Sequence, residues 1–99
     1  MIGNYKVITL CGSAKFREDF LREQTRLTLE GNIVLSVVFF DNDQTLSEQQ
    51  KEMIGDMHKR KIDLSDEIFV INKNGYIGSS TKSEIEYATK SNKPIKYME

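Results

Sequence analysis

The sequence has few residues of the kinds that cross-link a chain or bind metals. A single cysteine, Cys11, and a single histidine, His58, stand among 99 residues. That excludes an intrachain disulfide and a cysteine-rich zinc site, and no metal-ligand spacing is present, so the expectation is no metal. An excess of charge of one sign is also missing. Lys and Arg number 14 against 15 Asp and Glu, a net charge of -1, so the balance gives no electrostatic pull toward a nucleic-acid polymer or an anionic membrane. No apolar run reaches the roughly 20 residues that a membrane-spanning helix needs. The N-terminus lacks the apolar core of a signal peptide, which makes a cytoplasmic location the default expectation. There are no internal repeats, low-complexity tracts or linkers. The length suits one domain, residues 1–99, whose core is small enough for self-association to help.

What is present is an alternation of strand and helix patterns. Residues 5–10 read as a strand, apolar almost throughout from Val7 and so buried on both faces. Cys11, Gly12 and Ser13 turn the chain, and Ser13 suits the N-cap of a helix over about residues 14–30 with Phe16, Phe20 and Leu27 inward. Residues 33–40 form the most hydrophobic run, rich in β-branched and aromatic side chains, and read as a second strand ended by Asp41 and Asp43. Ser47 and Gln50 have the spacing of a capping box, opening a helix to about Leu64 with Met53, Ile54 and Met57 on its buried side. Residues 67–72 read as a third strand, residues 94–97 as a short fourth with the single proline, Pro94, at its start. The pattern β-α-β-α-β-α-β predicts an α/β fold, a three-layer α/β/α sandwich with a four-stranded parallel sheet in the order 2-1-3-4. Ligands in flavodoxin-like or Rossmann-like sheets of this kind bind outside the carboxyl ends of the strands. That rule would gather Gly12 and Ser13, Asp41 and Asp43, and the segment 75–84 around one crevice.

The segment 78–88 carries the chemistry. Gly78, Ser79, Ser80 and Thr81 make a tight turn and a hydroxyl-rich helix start, whose free N–H groups and dipole attract an anion such as a phosphate. Glu84 shares a helix face with Ala88 and lies beside Ile85, the side that packs on a sheet, whereas Glu86 points away. Two readings of Glu84 stay open on these grounds. Thr81 and Glu84 fit a capping box, in which the glutamate returns to its own backbone; alternatively, the carboxylate is turned inward for catalysis.

With its first strand and turn (residues 7–13), the run entering the third strand (residues 65–71) and the last helix (residues 80–88), the chain resembles the nucleoside 2-deoxyribosyltransferase superfamily over nearly its whole length. That superfamily includes small relatives that hydrolyse deoxynucleoside monophosphates. Its last motif runs from a glycine and a small residue to a nucleophilic glutamate, then an aliphatic residue, glycine, tyrosine and alanine. Glu84 takes the nucleophile's place, and Ile85, Tyr87 and Ala88 match the aliphatic residue, the tyrosine and the alanine. The resemblance implies that Gly12, Ser13 and the hydroxyls at the start of the last helix contact the sugar or a 5′-phosphate. It implies attack of the carboxylate on the anomeric carbon, departure of the base, and transfer of the glycosyl ester to another base or to water. It further implies no cofactor, a nucleoside or nucleotide as the small-molecule partner, and a homodimer or higher homo-oligomer. Glu86 stands where the family has glycine, and Thr9 and Leu10 stand where family members often carry an aromatic residue. The aspartate that the family has in or after the helix before strand 3 has no clean equivalent, because residues 58–61 occupy that neighbourhood; the missing aromatic and this second carboxylate support a second reading, a noncatalytic nucleotide-binding or sensing module. A third, the phosphoribohydrolases of the lysine-decarboxylase-like group, lacks its Pro-Gly-Gly-x-Gly-Thr loop here.

The remaining polar candidates have plain structural readings beside functional ones. Asp41 and Asp43 suit substrate contact and protonation of a leaving base, and equally suit a turn. His58, at the edge of an apolar stripe, is a candidate acid or a half-buried packing residue. Residues 58–61 form a basic run that suits a phosphate or a helix end favoured by the dipole. Cys11 reads most simply as a small buried hydrophobe at the sheet edge.

Overall fold

A computed structural model describes residues 3–41 and 43–99. The chain runs through β1 (Lys6–Gly12), a short 3-10 turn (Ala14–Phe16), α1 (Arg17–Leu29), β2 (Asn32–Leu35), α2 (Glu48–Asp63), β3 (Glu67–Ile71), a second 3-10 turn (Lys73–Gly75), α3 (Ser79–Lys90) and β4 (Ile95–Tyr97). All pairings are parallel, and the strand order is β2-β1-β3-β4. This is the α/β topology read from the alternation, with helices covering both faces of the sheet.

The period of two along β1 and β3 builds two cores. Ile8, Leu10, Phe69 and Ile71 pack on one face against Phe20 and Leu27 of α1. Cys11, Ile68 and Val70 pack on the other against Ile62 of α2 and Ala88 of α3. Successive side chains of a strand point to opposite faces, so a strand flanked by both layers is apolar at every step. At the entry to β3, Asp66 accepts a hydrogen bond from the Val7 N–H at 2.8 Å, and Lys6 pairs with Glu67 at 2.9 Å. These contacts fix the register of the two central strands.

The sequence-read boundaries shift most in three places. The first strand continues through Cys11 and Gly12, which the sequence reads as a turn, because both pair with β3. The first helix begins as a 3-10 turn capped by Ser13, and only Arg17–Leu29 is α-helical. The second strand ends at Leu35 rather than at residue 40. Beyond the Thr9↔Leu35 pair, β1 is bonded to β3 alone, so the hydrophobic run leaves the ladder. Val37 and Phe39 still pack on the α1 side, with Phe39 edge-on to Phe20 at 5.5 Å.

The capping box at Ser47 is present in both directions, Ser47 Oγ accepting from the Gln50 N–H and the Gln50 side chain accepting from the Ser47 N–H. The helix it opens buries a different stripe from the one expected. His58 and Ile62 are the buried residues of α2, whereas Met53 and Met57 are 53% and 45% exposed. The early end of β2 accounts for this: the N-terminal half of α2 faces the departing chain instead of a strand. Among the described residues no helix is long and apolar enough to cross a membrane.

Candidate active site at the carboxyl ends of the strands

The anion cradle forms where β1 ends and α3 begins. Gly12, Ser13, Ala14, Tyr76, Gly78, Ser79, Ser80 and Thr81 line one cavity of about 370 Å³. Gly78 is the N-cap of α3 and supplies no capping side chain, and the first helical bond runs from the Lys82 N–H to the Gly78 carbonyl. The N–H groups of the first turn are therefore not taken up by the helix itself, the condition under which a helix start receives an anion. Lys15 adds positive charge nearby, its Nζ 3.5 Å from the centre of the Tyr76 ring.

Gly12 is required at this turn. Its φ is +154°, and a Cβ there would stand 2.8 Å from the Ile71 carbonyl oxygen and 3.2 Å from Phe20 Cζ. Only a residue without a side chain lets β1 come this close to β3 while it turns toward α1.

Glu84 does not cap its own helix. Thr81 lies inside α3 and is buried, so the Thr81 to Glu84 spacing cannot act as a capping box. Glu84 instead turns into a cleft of about 350 Å³ between α2 and α3, lined also by Lys51, Glu52, Asp56, Lys59 and Ser80. Ser80 belongs to this cleft and to the cradle, so the two are adjoining. The Glu84 side chain is 15% exposed. Burial raises its carboxyl to about 7, against the opposing effects of a hydrogen bond from Cys11 and the charge of Lys59.

Behind Glu84 lie His58 and Cys11. His58 Nε2 is 3.4 Å from Cys11 Sγ and 3.8 Å from a Glu84 carboxylate oxygen. Burial, with the charge of Lys61, lowers His58 to about 4, while a backbone hydrogen bond at Leu10 works the other way. Burial and the adjacent Glu84 push the Cys11 thiol well up. Near neutral pH the group is therefore a thiol, a neutral imidazole and a partly ionised carboxyl. The His58 to Glu84 approach is neither an ion pair nor, at that length, a hydrogen bond.

A larger apolar cleft, about 490 Å³, opens on the other side of His58. Val37, Val38, Phe40, Leu46, Met53 and Met57 supply its walls, with His58 and Lys61 at the polar end. Around the carboxyl ends of the strands the molecule thus arranges an anion cradle, a carboxylate and an apolar cleft.

The structure gathers some of the sequence candidates and leaves others apart. Gly12, Ser13, Gly78, Ser79, Ser80 and Thr81 share the cradle, and Glu84 adjoins it through Ser80. Asp41 and Asp43 line none of these three spaces; both are exposed, and the Asp41 carbonyl accepts the Gln44 N–H in a turn. Asn42, between them, lies outside the described residues. His58 is buried rather than half-buried, and its lowered pKa leaves it neutral where an acid would have to be protonated. Cys11 is fully buried on an interior strand, not at the sheet edge. Thr9 and Leu10, at the place of the family's aromatic residue, are committed to packing. Thr9 bonds Ser65 and the Lys61 carbonyl, and Leu10 is enclosed in the α1 core. Tyr87 ties the helices together, its hydroxyl donating to Asp63 at 2.7 Å and accepting from Arg60 at 3.2 Å.

Sequence reasoning included Tyr76 in the segment 75–84 and Lys59 in the basic run 58–61, and missed Glu52 and Asp56 as neighbours of the site. Asp56 and Lys59 occupy the face of α2 that meets α3, and a helical wheel of α2 drawn against Glu84 is the signal that would have found them.

Comparison with protein-family models finds no match, and comparison with curated proteins finds none either. Among solved structures, the crystal structure of a conserved protein from Enterococcus faecalis V583 is similar, with a TM-score of 0.66 at 14% identity, over 95% of this chain and 63% of that one. The chain thus spans under two thirds of that protein, and what the two share at this identity is the fold.

Proposed function

We propose that the protein cleaves or transfers at the N-glycosidic bond of a nucleoside or nucleoside monophosphate, with Glu84 as nucleophile. The observation that carries this reading is the position of Glu84: inside the helix, turned away from its own backbone, beside a cradle suited to a phosphate. The resemblance to the nucleoside 2-deoxyribosyltransferases supplies the substrate class.

In this mechanism the 5′-phosphate or a sugar hydroxyl rests on the N–H groups and hydroxyls of Ser79, Ser80 and Thr81, with Gly12 and Ser13 opposite. The Glu84 carboxylate attacks the anomeric carbon; the C1′–N bond breaks, its electron pair leaves with the base, and a proton from solvent neutralises the base. The glycosyl ester on Glu84 is then opened by water or a second base, restoring the carboxylate. Neutral His58 packs behind Glu84 and donates no proton. Asp56, on the α2 face that lines the Glu84 cleft, replaces Asp43 as the nearby second carboxylate. No cofactor is needed, because the ester stores the sugar between the two steps. The reading places the protein in the cytoplasm, where nucleotides are, and as a homo-oligomer that covers the exposed apolar side chains around the larger cleft.

The test is incubation with ribo- and deoxynucleosides and their monophosphates, with free base followed by chromatography. Base is released by the native chain and not by Glu84→Gln, which keeps the fold. Full release by that variant removes the nucleophile assignment. Binding of a nucleotide with no release from any substrate turns the assignment to a noncatalytic sensing module, the reading that the missing first-strand aromatic favours.

A further inference from the structure

Three metal-binding atom types meet at one point of the fold: a thiol from β1, an imidazole from α2 and a carboxylate from α3, all within 4.8 Å of one another. Two of the three residues are buried, and the third faces the cleft between α2 and α3. With zinc–sulfur bonds of about 2.3 Å and zinc–nitrogen or zinc–oxygen bonds of about 2.0 Å, tetrahedral ligand atoms stand roughly 3.5 Å apart for sulfur to nitrogen and roughly 3.3 Å for nitrogen to oxygen. Here Cys11 Sγ and His58 Nε2 are 3.4 Å apart, and His58 Nε2 and Glu84 Oε1 are 3.8 Å apart. The Glu84 side chain has to rotate inward on binding, since its oxygen and Cys11 Sγ lie within 4.8 Å of one another against the roughly 3.5 Å of a tetrahedral pair. Among themselves the three make only weak contacts through the thiol, Cys11 Sγ to His58 Nε2 at 3.4 Å and Cys11 donating to Glu84.

We propose that Cys11 Sγ, His58 Nε2 and the Glu84 carboxylate form a site for a zinc-class divalent cation, and that the bound ion withdraws Glu84 from attack on the sugar. The second half rests on the function proposed above; the first stands without it. Thiolate and imidazole donors select zinc or cobalt over magnesium or calcium, which prefer oxygen. On binding, the Cys11 S–H bond breaks, its electron pair forms the sulfur–metal bond and the proton passes to water. Three protein ligands leave a fourth tetrahedral position for water, on the side of Glu84 that opens to the cleft between α2 and α3. The metal and the glycosyl ester use the same carboxylate, so they exclude one another.

The experiment is titration of the chelator-treated full chain with cobalt(II), followed by zinc displacement. Expected are a thiolate-to-cobalt charge-transfer band, the visible bands of a tetrahedral site, saturation at one ion per chain, and bleaching by zinc. Cys11→Ser abolishes the charge-transfer band. Because Cys11 lies in the core, Glu84→Gln serves as the second variant: the fold is kept and cobalt affinity falls by about tenfold or more. Absence of the charge-transfer band in the native chain, or equal affinity in Glu84→Gln, overturns the site. Base release measured in parallel is expected to stop with zinc and return with chelator, and release unchanged by bound zinc overturns the exclusion. A metal-free chain that releases no base from any substrate overturns the proposed activity, while the cobalt spectrum still decides the site.

Discussion

Glu84 titrates in the neutral range because burial resists its charge, and that has a cost in stability that can be measured. Its folded pKa, about 7, lies above the ordinary 4.5, so the unfolded chain loses this proton first. The destabilisation begins as pH rises past about 4.5 and is complete above about 7. Glu84→Gln has no such penalty. Denaturant unfolding at pH 8 should find the variant more stable by on the order of 3 kcal/mol, with the difference fading by pH 4. A variant less stable than the native chain at pH 8 would contradict the burial of the carboxyl. His58 contributes the opposite limb. Its folded pKa lies below the ordinary 6.5, so stability falls as pH drops from 6.5 toward 4. The Glu84→Gln profile should therefore keep the acid limb and lose the neutral one. At this scale the sequence showed which face of the helix Glu84 occupies, because a period of 3.6 is local. It did not show the company of Cys11 and His58, which are 47 residues apart and meet only once the sheet has brought the end of β1 beneath α2.

Among the elements, the turns and caps show where local signals are decisive. Replacing Gly12 with alanine places a methyl group against the Ile71 carbonyl at 2.8 Å, and Gly12→Ala should lose about 2 kcal/mol or more of unfolding free energy. A change below about 0.5 kcal/mol would mean that the close approach of β1 to β3 is not required. Ser47→Ala removes one arm of the capping box and should cost about 1 kcal/mol, read as a lower denaturant midpoint. The capping box was legible because it is written in adjacent residues, whereas the close approach at Gly12 was not, because Ile71 lies far along the chain. Nor was the length of β2. Residues 33–40 are uniformly apolar, and only the pairing of β1 with β3 beyond Leu35 decides where the ladder stops. The buried stripe of α2 was misread for the same reason: Met53 and Met57 fit a helical face, but no strand lies opposite them. Thr81 and Glu84 have the spacing of a cap, yet the helix starts at Ser79 with Gly78 as its N-cap, which puts Thr81 inside the first turn.

For the whole molecule, the alternation of strand and helix was enough to fix the layers and the strand order, since right-handed crossovers leave few topologies for four parallel strands. The site is a property of that topology, assembled from the ends of β1 and β3 and the facing sides of α2 and α3. The exposed apolar residues Val38, Met53 and Met57 around the larger cleft belong to the same scale. Sedimentation analysis should find a dimer or larger assembly, and Val38→Lys should shift it toward monomer; a native chain that stays monomeric at every concentration would remove self-association from the account. The most direct test of the chemistry is mass spectrometry of the protein quenched during turnover of a deoxynucleoside monophosphate and cut into peptides. A sugar, or sugar phosphate, covalently attached to Glu84 is the predicted result. Base released at full rate with no adduct on that peptide, or with the adduct on another residue, would contradict it.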